Sequence, residues 1–273
     1  MKKRILKLIA MTCLLRPMMA QQTVASADIE RLTATMYRYF STDSVEQFMG
    51  ATDSLKALCL KAGDEKTFYK AWGNQASFIF SKVSRERGLA IAREERAYAE
   101  KHDSKYGLYS SSNTNATLMS SSGMIDLAEK AFLEAIDYQR RYFPEENIAF
   151  QYIGLAKIEH NRHHFEKSLA YAEKALAEKN VQPIHRLHSY NYVCAALGEL
   201  AGSHPDDGSF RQRFNQAYDQ RAQLLKEHQL QDAMGGIVNF YEAKVNGRYS
   251  ELPELAKKVQ STINRLAFIP SAW

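Results

Sequence analysis

The sequence predicts an all-α protein built of antiparallel helical hairpins, and three observations carry that expectation. Strand signals, meaning alternating β-branched and polar runs between turn clusters, are nearly absent. Amphipathic stretches of about 14–20 residues alternate with short breaks at Gly63-Asp64, Asp103-Ser104, Ser122-Gly123, Pro144, Asn180 to Pro183, His204 to Gly208 and Asn246-Gly247. The inward faces implied by the spacing hold alanines where an ordinary amphipathic helix places leucines. The segment EKSLAYAEKALAEKN at 166–180, with Leu169, Ala172, Ala175 and Leu176 at helical spacing, is the clearest case.

Taken in chain order, residues 1–27 read as a cleavable export signal and short leader. The basic start MKKR precedes the apolar run ILKLIAMTCLL, and small residues allow cleavage after Ala20 or Ala27. A run of about 11 residues is too short for a hydrocarbon core that needs roughly 20, and no later segment approaches that length. Residues 28–62 read as N-terminal capping helices, 63–266 as the hairpin array and 267–273 as a C-terminal tail.

Charge follows the same division. Lys2, Lys3, Arg4, Lys7 and Arg16 lie in the first 20 residues, which contain no acid. They account for the whole formal charge of +5, because the remaining 31 basic residues equal the 31 acidic ones. A mature chain without excess positive charge lacks the footprint for phosphate backbones, so no nucleic-acid partner is expected.

Within the array the second helices of the hairpins superimpose. GMIDLAEKAFLEAI carries Ile125, Ala128, Phe132 and Ala135, and HHFEKSLAYAEKAL carries Phe165, Ser168, Ala172 and Ala175 at the same offsets. RGLAIAREERAYA places Leu89, Ala92 and Ala99 in this register, and GRYSELPELAKKV places Tyr249, Leu252, Ala256 and Val259. A weaker copy begins at Gly208 with Phe210, after an insertion. Tyr152 with Leu155-Ala156, and Leu197-Gly198, mark the preceding helices. This pattern resembles the tetratricopeptide repeat (TPR), whose small residues let paired helices approach closely while a neighbouring repeat supplies the bulky filler. The copies at 89, 125, 165, 210 and 249 are spaced 36–45 residues, longer than the usual repeat. The resemblance implies a right-handed, TPR-like superhelical solenoid over roughly residues 64–266. The stretch from Asp64 to Tyr109, beginning DEKTFYKAWGNQASF, resembles more narrowly the periplasmic TPR sensor regions of membrane-bound bacterial histidine kinases and two-component regulators. That kinship implies a sensory binding module, stand-alone or truncated, and transfers no kinase activity.

The resemblance also implies a binding face, since the first helix of each TPR hairpin lines the concave groove. Carrying the offsets back places Asn113, Thr117 and Ser120 on it, with Asn74, Ser77 and Ser81 from the preceding repeat and Lys157 and His160 from the following one. Small hydroxyl and amide groups of this kind suit hydrogen bonding to an extended protein or peptide segment, or to another polar ligand. The aromatic-basic runs Tyr37-Arg38-Tyr39-Phe40 and Arg140-Arg141-Tyr142-Phe143 are secondary binding candidates.

Catalytic motifs are missing. There is no G-x-S-x-G, P-loop, dinucleotide fingerprint or HExxH. The metal-like cluster is EHNRHHFEK, where His160, His163 and His164 stand at spacings from which imidazoles on one helix can share Zn²⁺. His163 falls at the inter-helix turn, so the three rings need not share a face. His185 and His188 are one turn apart without an evident third ligand. The sequence therefore implies a periplasmic, non-catalytic binding or sensing module with no cofactor. The alternatives are a structural adaptor in a cell-envelope assembly and a metal-dependent enzyme using the His160/His163/His164 cluster.

Cys59 and Cys194 lie in apolar helical contexts, LKALCLKA and YVCAALG, where a buried free thiol is the ordinary state. In an array each repeat touches mainly its neighbours, so these cysteines should be farther apart than the roughly 7 Å that a disulfide spans. Non-reducing peptide mapping is expected to find no Cys59–Cys194 linkage, and finding it would overturn the array.

Overall fold

Helices begin where the sequence places its turns. The structure, a computed structural model, describes residues 26–266, with side chains as far as Gln260. The expected leader lies outside the described residues up to residue 25, with the expected cleavage position after Ala20, as does the 267–273 tail, while Ala27 falls in the first helix. In order the helices are α1 (residues 26–41), α2 (Val45–Ala62), α3 (Glu65–Lys82), α4 (Arg85–Lys101), α5 (Lys105–Ser121), α6 (Ile125–Tyr142), α7 (Ala149–Asn161), α8 (Phe165–Ala177), α9 (Pro183–Ser203), α10 (Gly208–His228), α11 (Gly235–Val245) and α12 (Leu252–Leu266). A single 3₁₀ turn, Tyr249–Glu251, precedes α12. No strand occurs among the described residues.

The chain divides into two compact units, up to Ser111 and from Ser112, so the division falls inside α5. In the first unit α3 packs against both α2 and α4. Its core includes Phe48 stacked on Phe78 at 4.1 Å between ring centres, with Phe40 against both. In the second unit α7, α8, α9 and α10 pack in succession, α9 also meets α7 and α11, and α11 meets α12. The result is all-α and repeat-like, with each helix packed mainly on its sequence neighbours.

A repeated turn sets the cadence. Asp43, Gly63, Asp103, Gly123 and His163 adopt left-handed backbone, with φ between 50° and 78°, two residues before the next helix begins. In each case the following N–H reaches back to close the preceding helix: Asp64 to Cys59 O at 3.0 Å, Ser104 to Ala99 O at 3.0 Å, Met124 to Met119 O at 2.9 Å, His164 to Glu159 O at 2.9 Å. This bond satisfies a carbonyl that the helix end would leave open and turns the chain at once. Asp64, Ser84 and Ser104 then cap the next helix, accepting from the N–H groups of Thr67, Arg87 and Gly107.

The repeat register follows from these starts. Helices α4, α6 and α8 open at Arg85, Ile125 and Phe165, 40 residues apart. Their matching inward positions are Gly88, Ala92 and Glu95, then Ala128, Phe132 and Ala135, then Ser168, Ala172 and Ala175, and all are buried. The Leu89 alignment expected from sequence is therefore one turn late. Ala92 and Ala99 are buried as expected, but Glu95 occupies the place of Ala135 and Ala175, its carboxylate accepting from the Ser110 hydroxyl at 3.0 Å. The last copy also shifts. The 3₁₀ turn consumes three residues, so Leu252, Leu255 and Val259 face inward, whereas Tyr249 and Ala256 are exposed. In α10 the inward set is Phe214, Ala217 and Arg221.

Small residues govern how near the helices come. A side-chain carbon added at Gly154 on α7 would sit 2.3 Å from the Phe132 ring of α6, and one at Gly198 on α9 would sit 2.5 Å from the Tyr241 ring of α11. Such distances exclude any larger residue without separating the helices. Ala172 and Ala175 are fully buried for the same reason, and the neighbouring Ser168 hydroxyl donates to Ala156 O on α7 at 2.9 Å. Replacing Ala135 or Ala175 by Leu is expected to cost about 1–3 kcal/mol through overpacking. Glu173→Leu should shift stability by less than about 1 kcal/mol, because Glu173 is exposed and forms only a surface pair with Arg213. Thermal melts of the three variants provide the comparison.

Candidate functional site

The sequence candidates fall into both units. In the first unit Asn74 and Ser77 are buried and Ser81 is half-buried. Asn74 donates through Nδ2 to the Tyr37 hydroxyl at 3.2 Å, and Ser81 Oγ donates back to Ser77 O at 3.0 Å. Ser77 Oγ is buried without a partner. Asn74 and Tyr37 line a cleft of about 1160 Å³ between α1, α2 and α3, walled by Ile29, Met36, Leu55 and Leu58. Its charged rim is balanced, with Lys61 and Lys70 against Glu30 and Asp64, and Asp64 is already engaged as the cap of α3.

In the second unit the first helices of successive hairpins are joined side to side. Asn113 Oδ1 on α5 accepts from Gln151 Nε2 on α7 at 2.9 Å. Phe150 on α7 meets His185 on α9 with ring centres 6.1 Å apart, and His160 meets Tyr192 at 6.3 Å. Glu199 on α9 accepts from the Tyr241 hydroxyl at 2.7 Å and from Lys244 Nζ at 3.2 Å, both on α11. Each helix contributes residues one helical turn apart, which places them on a single face: Phe150, Ile153, Lys157 and His160 from α7; His185, His188, Tyr192 and Glu199 from α9; Tyr241 and Lys244 from α11. Most are half-buried rather than exposed or sealed.

Burial decides the electrostatics of this face. Lys157 is held below its usual pKa by loss of solvent, and it has no ion-pair or hydrogen-bond partner among the described residues. Burial lowers His185 to about 4, with His188 adding repulsion. It lowers His188 against the pull of Asp232, and lowers His160 against the pull of Glu199, with His163 adding to the depression. For Glu199 burial acts upward, but the bonds from Tyr241 and Lys244 outweigh it and leave the carboxyl low. The face thus carries three imidazoles whose protonation burial disfavours, the Glu199 carboxyl held by Tyr241 and Lys244, and Lys157 without a partner. Two further polar atoms of the first helices are buried without a partner, His160 Nδ1 on α7 and Ser120 Oγ on α5.

Lys157 and His160 of the sequence-derived set lie on this face. Asn113 contributes through Gln151, whereas the buried Thr117 hydroxyl is used on Asn113 O at 3.0 Å. His185 and His188 are drawn into it from a different sequence context. Tyr192, Glu199, Tyr241 and Lys244 escaped sequence reasoning, although counting by helical turns from His185 along α9 would have reached Tyr192 and Glu199.

The histidine cluster separates. His164 Nδ1 contacts Glu159 Oε2 at 2.8 Å, beside the Arg162 guanidinium, which binds Glu129 at 2.7 Å and Glu159 at 3.0 Å. His163 occupies the left-handed turn and sets its ring edge against Phe165. His160 points to α8 and α9 instead, with its ring 5.3 Å from Phe165. No group of three or more His, Cys, Asp or Glu among the described residues is placed to hold a metal ion. Cys59 and Cys194 are free, buried and in different units, and burial raises their pKa values to about 11 and about 12.

The lowered histidines make acid stability measurable. Their protonation is disfavoured in the folded state, so the unfolded chain binds more protons below the ordinary histidine pKa of about 6.5. Stability is therefore expected to fall as pH drops from about 6.5 towards 4, and a His185→Asn/His188→Gln variant should flatten that slope in urea titrations. A slope unchanged by the substitutions would mean that neither ring is buried neutral.

Comparison of the chain with protein-family models, curated proteins and solved structures finds no match.

Proposed function

We propose that this chain is a non-catalytic binding module, a divergent TPR-like solenoid whose ligand or protein partner docks on the face formed by the first helices. The supporting observation is the side-to-side joining of α5, α7, α9 and α11 into a half-buried strip that leaves Lys157, His160 Nδ1 and Ser120 Oγ unsatisfied. Buried polar groups are normally paired within the fold, so a cluster of unpaired ones on a continuous face fits groups reserved for a ligand.

Export to the periplasm and a sensory role belong to the same proposal. The basic start, the short apolar run and the small residues at Ala20 and Ala27 support export. No described helix is long and apolar enough to cross a membrane. The likeness of the Asp64–Tyr109 stretch to periplasmic sensor regions supports the sensory role. In such a module the ligand changes the balance between arrangements of stacked helices instead of undergoing chemistry.

Site-specific photocrosslinking in the native envelope tests the face. A crosslinker at Lys157 or His188 is expected to trap a discrete partner or ligand adduct, while one at the outward Glu173 or Lys130 should trap none above background. Adducts confined to the outward positions would place binding elsewhere and remove this face.

A further inference from the structure

We infer that the α7–α9 part of this face is a binding site for a small organic carboxylate carried on a flat apolar body, with Lys157 as its counter-charge. The inference rests on the binding-module reading and adds the chemistry of the ligand.

The charge balance comes first. Lys157 stands on α7 without a partner, one turn from His160, so the two side chains share a flank of the helix. Three acids of this part of the unit are already held by cations or donors. Glu199 of α9 is held by Tyr241 and Lys244 of α11. Asp232, before α11, is held by Arg221 of α10, which also donates to Asn191 at 2.6 Å. Glu159, at the end of α7, is held by Arg162 and His164. Each of these three acids already meets a cation, and none of them pairs with Lys157. An unpaired ammonium in a half-buried site is costly, and an anion arriving there recovers much of that cost.

The surroundings then define the ligand's body. Phe150 and Ile153 continue the Lys157 stripe on α7, and Tyr192 faces it from α9 across the His160 contact. These are aromatic and aliphatic surfaces that suit a flat apolar group. The unpaired His160 Nδ1 supplies one hydrogen bond beside the ammonium. A multiply charged, strongly hydrated anion would find mostly apolar walls around Lys157. A monocarboxylate matches both.

Acid should strengthen the site. His160 faces Glu199 and His163, His188 faces Asp232 and His185, and His185 faces His188. These imidazoles are held neutral by burial, and a bound carboxylate favours their protonated forms. Binding then takes up protons, and affinity rises as pH falls below the ordinary histidine range.

The test is calorimetric titration of the full chain with 3-phenylpropionate, its neutral amide and inorganic phosphate. Saturable binding of the carboxylate is expected, with the amide and phosphate each weaker by about tenfold or more. Lys157→Gln should lower carboxylate affinity by about tenfold, and Lys157→Arg should retain most of it. Removing an unpaired buried charge does not threaten folding, and Lys157→Gln should melt no lower than the parent. Affinity should be several-fold higher near pH 5.5 than near pH 7.5. The assignment is overturned by any of three results: no saturation by the carboxylate up to about 20 mM, equal binding of amide or phosphate, or unchanged affinity in Lys157→Gln. If the probes fail while crosslinks at Lys157 persist, the ligand class falls and the binding face stands.

Discussion

The separation between neighbouring helix axes is the constraint on which the rest of the structure depends. Where α7 passes α6 and α9 passes α11, an aromatic ring occupies the space that any side chain at Gly154 or Gly198 would need. Alanine and serine play the same part between α7 and α8, where the Ser168 hydroxyl reaches the Ala156 carbonyl. Close axes let the first helices of consecutive hairpins touch along their length. The polar face then follows from packing: residues one turn apart on α7 and α9 come into lateral register because nothing larger holds the helices apart.

Much of the architecture was legible in the sequence because its signals are local. Glycine or aspartate at the turns, a capping residue next, and small residues at fixed offsets all report on backbone geometry within one helix. Errors of register arose where that local signal was ambiguous. In the Arg85 helix, Glu95 fills an alanine position and leaves Leu89 as a misleading landmark. Before α12, a 3₁₀ turn of three residues has no strong signature, so Tyr249 was placed in a helix that starts at Leu252. The candidate site was less legible, since its definition is lateral. Lys157 and His160 could be placed by offset. Tyr192, Glu199, Tyr241 and Lys244 join this face only through contacts between residues about 30–45 apart in sequence, which no single-helix periodicity encodes.

Burial without pairing distinguishes Lys157 from Arg221 and Arg162 of the same unit. Arg221 is more deeply enclosed, yet Asn191 and Asp232 compensate it. Arg162 gathers three carboxylates at the hairpin corner. These arrangements fix helices in place, as buried ionic groups do when every member is satisfied. Lys157 contributes nothing comparable to stability. Relief of that isolation by an anion is the basis of the ligand chemistry proposed above.

The 40-residue spacing of the helix starts at Arg85, Ile125 and Phe165 also bears on how the chain acquires its structure. Most helix contacts join segments adjacent or next-adjacent in order, so little loop entropy is lost before contacts are rewarded. Folding of this kind can proceed hairpin by hairpin from whichever end is free, without waiting for distant segments. The same locality limits cooperativity. The two compact units can open at different free energies, and a single unfolding midpoint then averages two processes. A chain threaded through a narrow passage in extended form would rebuild itself in the order in which it emerged.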